Sequence, residues 1–141
     1  SCALQFLGTL AFNFSTFDAM LPGLDWLQQD WAIWAPDMMG SVLFLTSGYL
    51  AFVEACQSCW AWHPHRLSWR ITFANLLGCV AFMISALSAF VPAGGPSTDM
   101  ATVSVLATFL GALGFLLGAL LMLQEAAVHQ RAALEHGLGR D

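Results

Sequence analysis

The 141-residue sequence contains no lysine, and its four arginines are its only strong cations. Only 9% of its residues are charged, against about 25% in an ordinary soluble domain. A surface this poor in charge would associate in water. The net charge of −5 leaves no basic footprint for nucleic acid. There is no glycine-rich phosphate loop, no Gly-x-Ser-x-Gly elbow and no His-Glu-x-x-His helix. No family of catalytic sites is marked by its usual short motif.

What is abundant is apolar: 58% of the residues are hydrophobic. Residues 1–17, 38–53, 71–98 and 100–124 carry no charge. A bilayer core needs about 20 mostly apolar helical residues. The pattern predicts an all-α membrane protein with spans at about 2–20, 37–57, 69–91 and 100–128. The chain begins with Ser1, which predicts a processed or partial chain. Residues 1–20 lack the basic start and small-residue cleavage site of a signal peptide, so they are predicted to span.

The punctuation fits four spans. The five prolines (Pro22, Pro36, Pro64, Pro92 and Pro96) fall between the predicted helices, where a missing N–H does no harm. The six tryptophans (Trp26, Trp31, Trp34, Trp60, Trp62 and Trp69) fall at or near segment ends, as expected of interfacial anchors. Four spans put the N-terminus, loop 57–68 and the C-terminal tail on one side. That side holds Arg66, Arg70, Arg131 and Arg140 and all four histidines. The opposite side holds Asp18, Asp25, Asp30, Asp37 and Asp99 and no basic residue. The excess of arginine predicts both termini in the cytoplasm, stroma or matrix. Residues 24–34, with Leu24, Leu27, Trp31 and Trp34 on one face, predict a short helix in the opposite interface. The tail Gln124–His136 is predicted to extend the last helix into water, with Arg131 and Glu135 one turn apart and Gly137 as a stop.

Each predicted helix repeats one pattern: polar, Gly, Phe and small residues at steps of three, four and three. The copies are Gln5–Gly8–Phe12–Ser15, Asp37–Gly40–Phe44–Ser47, Asn75–Gly78–Phe82–Ser85 and Thr108–Gly111–Phe115–Gly118. These steps place the four positions on one helix face. Gly8, Ser15, Gly40, Ser47, Gly78, Ser85, Gly111 and Gly118 then form packing seams where backbones approach closely. Gln5 maps onto Asn75 and Asp37 onto Thr108, which predicts two hairpins of like orientation within one 1–141 domain, at about 1–68 and 69–141.

The segments Asn75-Leu-Leu-Gly78-Cys-Val-Ala-Phe82-Met-Ile-Ser85 and Asp37-Met-Met-Gly40-Ser-Val-Leu-Phe44-Leu-Thr-Ser47, each preceded by a Trp, resemble the YrhK-like membrane domain. The resemblance covers about residues 34–91 well and the outer helices loosely. Asp37 stands where that motif usually has Asn, and Thr108 and Gly118 depart further. The resemblance implies a two-helix fold unit, here duplicated, and no reaction.

Two constellations carry chemistry. Glu54 and Glu125 extend the seams by seven residues from Ser47 and Gly118. With Gln5 and Asn75 they are predicted to form one polar layer near the arginine-rich side. Such a layer suits a proton, a cation or a polar head group, or it fixes helix register. Cys56 and Cys59, with His63 and His65, offer soft ligands within ten residues, for zinc or as a reversible dithiol; the plain alternative is small residues at a helix end. Neither constellation demands a metal or cofactor, though His, Gln5, Asn75 or Glu54 could also ligate a pigment. The expectation is a non-enzymatic accessory or structural subunit of a larger membrane complex, photosynthetic or respiratory, whose partners are lipid and other membrane subunits. The alternatives are a small transporter or channel using Glu54 and Glu125, or a thiol-redox or zinc module at Cys56 and Cys59.

Overall fold

The structure is a computed structural model that describes residues 2–21, 23, 25–57, 62–90 and 98–138, with backbone only for residue 26 and residues 132–138. Among the described residues it is helical without strands. The helices are α1 (Cys2–Asp18), α2 (Trp26–Gln29), α3 (Ala35–Cys56), α4 (Leu67–Ser88) and α5 (Thr98–Leu138). A π turn, Asp30–Trp34, joins α2 to α3.

Among the described residues three helical stretches are long and apolar enough to cross a membrane: Leu27–Cys56, Leu67–Ser88 and Thr98–Arg131. Their outer faces agree with a lipid solvent. On α5, Leu106, Leu116 and Leu123 are between 54% and 68% exposed. Water would penalise such faces, whereas acyl chains do not. α1 carries the same kind of face, with Phe6, Phe14 and Phe17 exposed. At 17 residues it is about 25 Å long, the shortest of the four long helices.

Of the segment expected as a separate interfacial helix at 24–34, residues 26–34 are instead continuous with α3, and Leu24 lies outside the described residues. Pro36 therefore lies inside a helical run rather than between elements. The reason is the π turn: Ala35 N–H donates to Asp30 C=O, five residues back rather than four. The widened turn accommodates a ring and a missing donor that an α turn would resist. The run is anchored on α4, where Trp34 Nε1 donates to the Ala86 carbonyl at 2.9 Å. The Trp34 ring meets Phe90 edge-on at 5.2 Å. α3 ends on Gln57, in the left-handed region at φ 54°, whose side-chain amide donates to Glu54 C=O. α5 continues through Gly137, expected as its stop, to Leu138. The Arg131–Glu135 pair, His136 and Arg140 lie outside the described side chains, as do Pro22, Pro92 and Pro96.

α1 packs on α3, α3 on α4, and α4 on α5, each pair antiparallel. The motif glycines lie at the closest approaches. A Cβ on Gly8 would stand 3.2 Å from the Gly40 carbonyl oxygen, and one on Gly78 would stand 3.0 Å from that of Gly111. Into the space that these contacts leave, each helix inserts its motif phenylalanine. Phe12 meets Phe44 at 5.3 Å and Phe82 at 5.1 Å, and Phe115 meets Phe44 and Phe82 at 5.7 Å each. The four rings form one apolar layer across the bundle.

A second aromatic cluster closes the arginine-bearing end of α3 and α4. Phe52 is fully buried, and Trp69 stacks on Phe73 with centroids 4.6 Å apart. Trp62 stands edge-on to Trp69.

Gly114 tests the backbone contacts most directly, because the three atoms nearest to a Cβ there, at 3.0–3.1 Å, are all backbone atoms of Gly78 and Ala74. Backbone cannot swing aside as a side chain can, so Gly114→Ala should destabilise the bundle by about 1–3 kcal/mol. Leu120→Ala, on the exposed face of the same helix, should cost less than about 0.5 kcal/mol. Reversible unfolding in mixed micelles, followed by helicity, reads both.

Candidate polar seam

The seam positions lie where the antiparallel pairs bring polar side chains against small residues. On α1, Gln5 accepts a hydrogen bond through Oε1 from Ser47 Oγ on α3, at 3.0 Å. In the matching position of the other pair, the Asn75 amide on α4 fills the space over Gly118 on α5, where a Cβ would collide with it. The α1–α3 and α4–α5 pairs thus each set an amide on one helix against a small residue on its antiparallel neighbour.

The opposite end of α4 and α5 holds a tighter polar cluster. Ser85 Oγ lies 2.6 Å from Thr108 Oγ1, 3.1 Å from Ser104 Oγ and 2.9 Å from the Ser104 carbonyl. Thr108 also donates to that carbonyl at 2.9 Å. Ser15, the counterpart of Ser85 on α1, is likewise buried. The phenylalanine layer separates this cluster from the amides at the other end.

The carboxylates stand apart from the amides. Glu54 is exposed and Glu125 half-buried. Among the described residues no hydrogen bond or ion pair joins either one to the other, to Gln5 or to Asn75. Glu54 sits on α3 beyond the point where α1 begins, so no described α1 residue covers it. Arg70 is exposed.

Cys56 is half-buried and His63 and His65 are exposed, while Cys59 lies outside the described residues. Among the described residues no three His, Cys, Asp or Glu side chains converge as metal ligands. The tryptophans divide in two. Trp31 and Trp62 are exposed; Trp34 is half-buried and Trp69 is buried at 5% exposure. Trp69 turns inward because Phe52 and Phe73 offer it an aromatic niche. The Trp26 side chain and Trp60 lie outside what is described.

Sequence spacing missed Ser104 and the contacts between α3 and α4. Ser104 precedes Thr108 by one helical turn and so shares its face, a signal present in the sequence. Ser41 donates to the Phe82 carbonyl across α3 and α4, and a Cβ on Gly48 would meet Cys79 Sγ at 2.8 Å. These α3–α4 contacts lie off the repeated motif, so the repeat gave no hint of them.

Chemically, the interhelical hydrogen bonds of the seam are made by the Gln5 amide and by serine and threonine hydroxyls. No protein family, curated protein or solved structure matches this chain.

Interhelical hydrogen bonds in membranes average about 0.6 kcal/mol and reach about 1.7. Ser85→Ala removes the centre of a cluster and should fall in the upper half of that range. Glu54→Gln, at an exposed side chain, should change stability by less than about 0.5 kcal/mol. The same micelle unfolding assay separates the two.

Proposed function

We propose that this chain is a non-enzymatic structural or accessory subunit of a larger membrane complex. In this reading α1 is a fourth span, the two hairpins are duplicated copies of a unit resembling the YrhK-like domain, and both termini lie on the arginine-rich side. The carrying observation is the central layer of Phe12, Phe44, Phe82 and Phe115. Four mutually packed rings plug the middle of the bundle, and glycine contacts hold the helices tightly around them. A transport path would have to cross that plug between the Gln5–Ser47 end and the Ser85–Thr108 end. Gln5 with Ser47 on one side, and Ser85 with Ser104 and Thr108 on the other, are bonded helix to helix, which suits register and rigidity. The broad apolar faces of α1 and α5 suit lipid and neighbouring subunits.

The test is extraction of native membrane in gentle detergent, capture of the chain, mass spectrometry of what accompanies it and an absorption spectrum of the same fraction. Stoichiometric co-purification of other membrane subunits is the expected result, and any chromophore would identify the pathway. A fraction that contains this chain alone, with no other subunit, overturns the reading.

A further inference from the structure

The repeat has a consequence for the faces that the bundle leaves open. α3 and α4 pack closely, through Ser41, Gly48 and Phe52 on one side and Leu76, Cys79 and Ala86 on the other. All six are buried. Under the motif alignment, which sets Gly8 on Gly78 and Gly40 on Gly111, the α4 face corresponds to Phe6, Thr9 and Thr16 on α1. The α3 face corresponds to Ala112, Ala119 and Leu123 on α5. In this chain all six of those counterparts are exposed, Phe6 by 63% and Leu123 by 68%. A twofold repeat would pack α1 on α5 as it packs α4 on α3, yet these two helices share no interface comparable to the other pairs among the described residues.

We propose that these two faces bind each other between copies, with α1 of one chain docking on α5 of a second chain of the same sequence. The chain's own α3–α4 interface supplies the template. In that template Gly48 and Cys79 meet; between copies, Ala119 and Thr9 meet. Both members are small, so the backbones can approach closely, which drives association in lipid. The threonines bring no unsatisfied donor to the contact. Thr9 Oγ1 donates to Gln5 C=O at 2.9 Å and Thr16 Oγ1 to Phe12 C=O at 2.8 Å within their own helix. Their outward surface is therefore largely methyl. Direction also fits: α3 and α4 are antiparallel, and α1 and α5 run oppositely across the bilayer in a four-span chain. Copies inserted the same way round can then form the contact, closing as a twofold dimer or a small ring. The inference rests on the duplicated four-span reading and goes beyond it by naming a partner.

The experiment uses the full chain in phosphatidylcholine vesicles, with Cys2, Cys56 and Cys59 replaced by Ser and the buried Cys79 kept. Chains carrying only Thr9→Cys are mixed with chains carrying only Ala119→Cys and are oxidised. A cross-linked pair in the mixture, at least tenfold above either chain oxidised alone, is the expected result. No such excess, with helicity intact, overturns the proposal. A chain carrying both substitutions that cross-links only within itself overturns it too, because α1 then closes on its own α5. Ala119→Trp tests the same face without cysteine chemistry. Ala119 is exposed in the single chain, so the fold should survive while single-molecule bleaching falls to one step per spot. Multiple steps that persist in Ala119→Trp overturn the proposal. The native-membrane capture keeps the two readings distinguishable. Other subunits that still accompany the Ala119→Trp chain preserve the subunit reading whatever happens to self-association. Their absence, with self-association intact, sinks only the subunit reading.

Discussion

The bundle depends on the approach of glycine to glycine, Gly8 to Gly40 and Gly78 to Gly111. In lipid there is no hydrophobic force between helices, because a leucine gains little by leaving acyl chains for another helix. What remains is dispersion and hydrogen bonding, and both fall off steeply with distance. Removing the Cβ at these points brings main chains to contacts that a single methyl group would crowd. The phenylalanines follow from this. A ring beside a glycine finds a recess its own size, and four such recesses at one level produce the aromatic layer.

The polar seam depends on the same approach. The Gln5–Ser47 bond and the Ser85–Thr108 contact each span two helices with short side chains. Helices separated by leucine at these levels would place the serine and threonine hydroxyls out of reach. Close packing thus permits the hydrogen bonds, and the bonds in turn select one register. Asn75 and Gly118 show the size limit, since the amide occupies the volume that a Cβ on Gly118 would need. The amide and the missing Cβ work as a pair.

Much of this was legible in the sequence because it lies on a repeated helix face. The steps of three, four and three placed Gly, Phe and the small residue together, and they meet in the structure. Two parts were hidden for physical reasons. Pro36 read as a boundary, since proline breaks an α helix; a π turn admits it, and hydropathy has no signature for a change of hydrogen-bond step. Trp69 read as an interfacial anchor from its place near a segment end. Its burial depends on Phe52 from another helix, a contact that no local pattern encodes. Glu54 and Glu125 share the seam face by spacing, yet Glu54 is exposed, because a face is covered only as far as its neighbour extends.

The α3–α4 contact shows where the repeat stops governing the structure. Both hairpins carry the motif, and their internal pairs, α1 with α3 and α4 with α5, use it in the same way. The contact between hairpins uses other residues: Ser41, Gly48, Cys79 and Ala86. If the hairpins are duplicated copies, as proposed, such a surface is present twice, and one chain closes only one copy among the described residues. On the proposed reading, a hairpin that binds a hairpin keeps a matching face at its second edge. Lipid can cover an apolar edge at little cost, so an open edge is tolerated in a membrane where it would aggregate in water. The residues on the open edge sharpen the point. Ala112, Ala119, Thr9 and Thr16 are small at the four places where their buried counterparts are Ser41, Gly48, Cys79 and Ala86. Contact with lipid alone places no demand for small side chains, whereas a helix neighbour does.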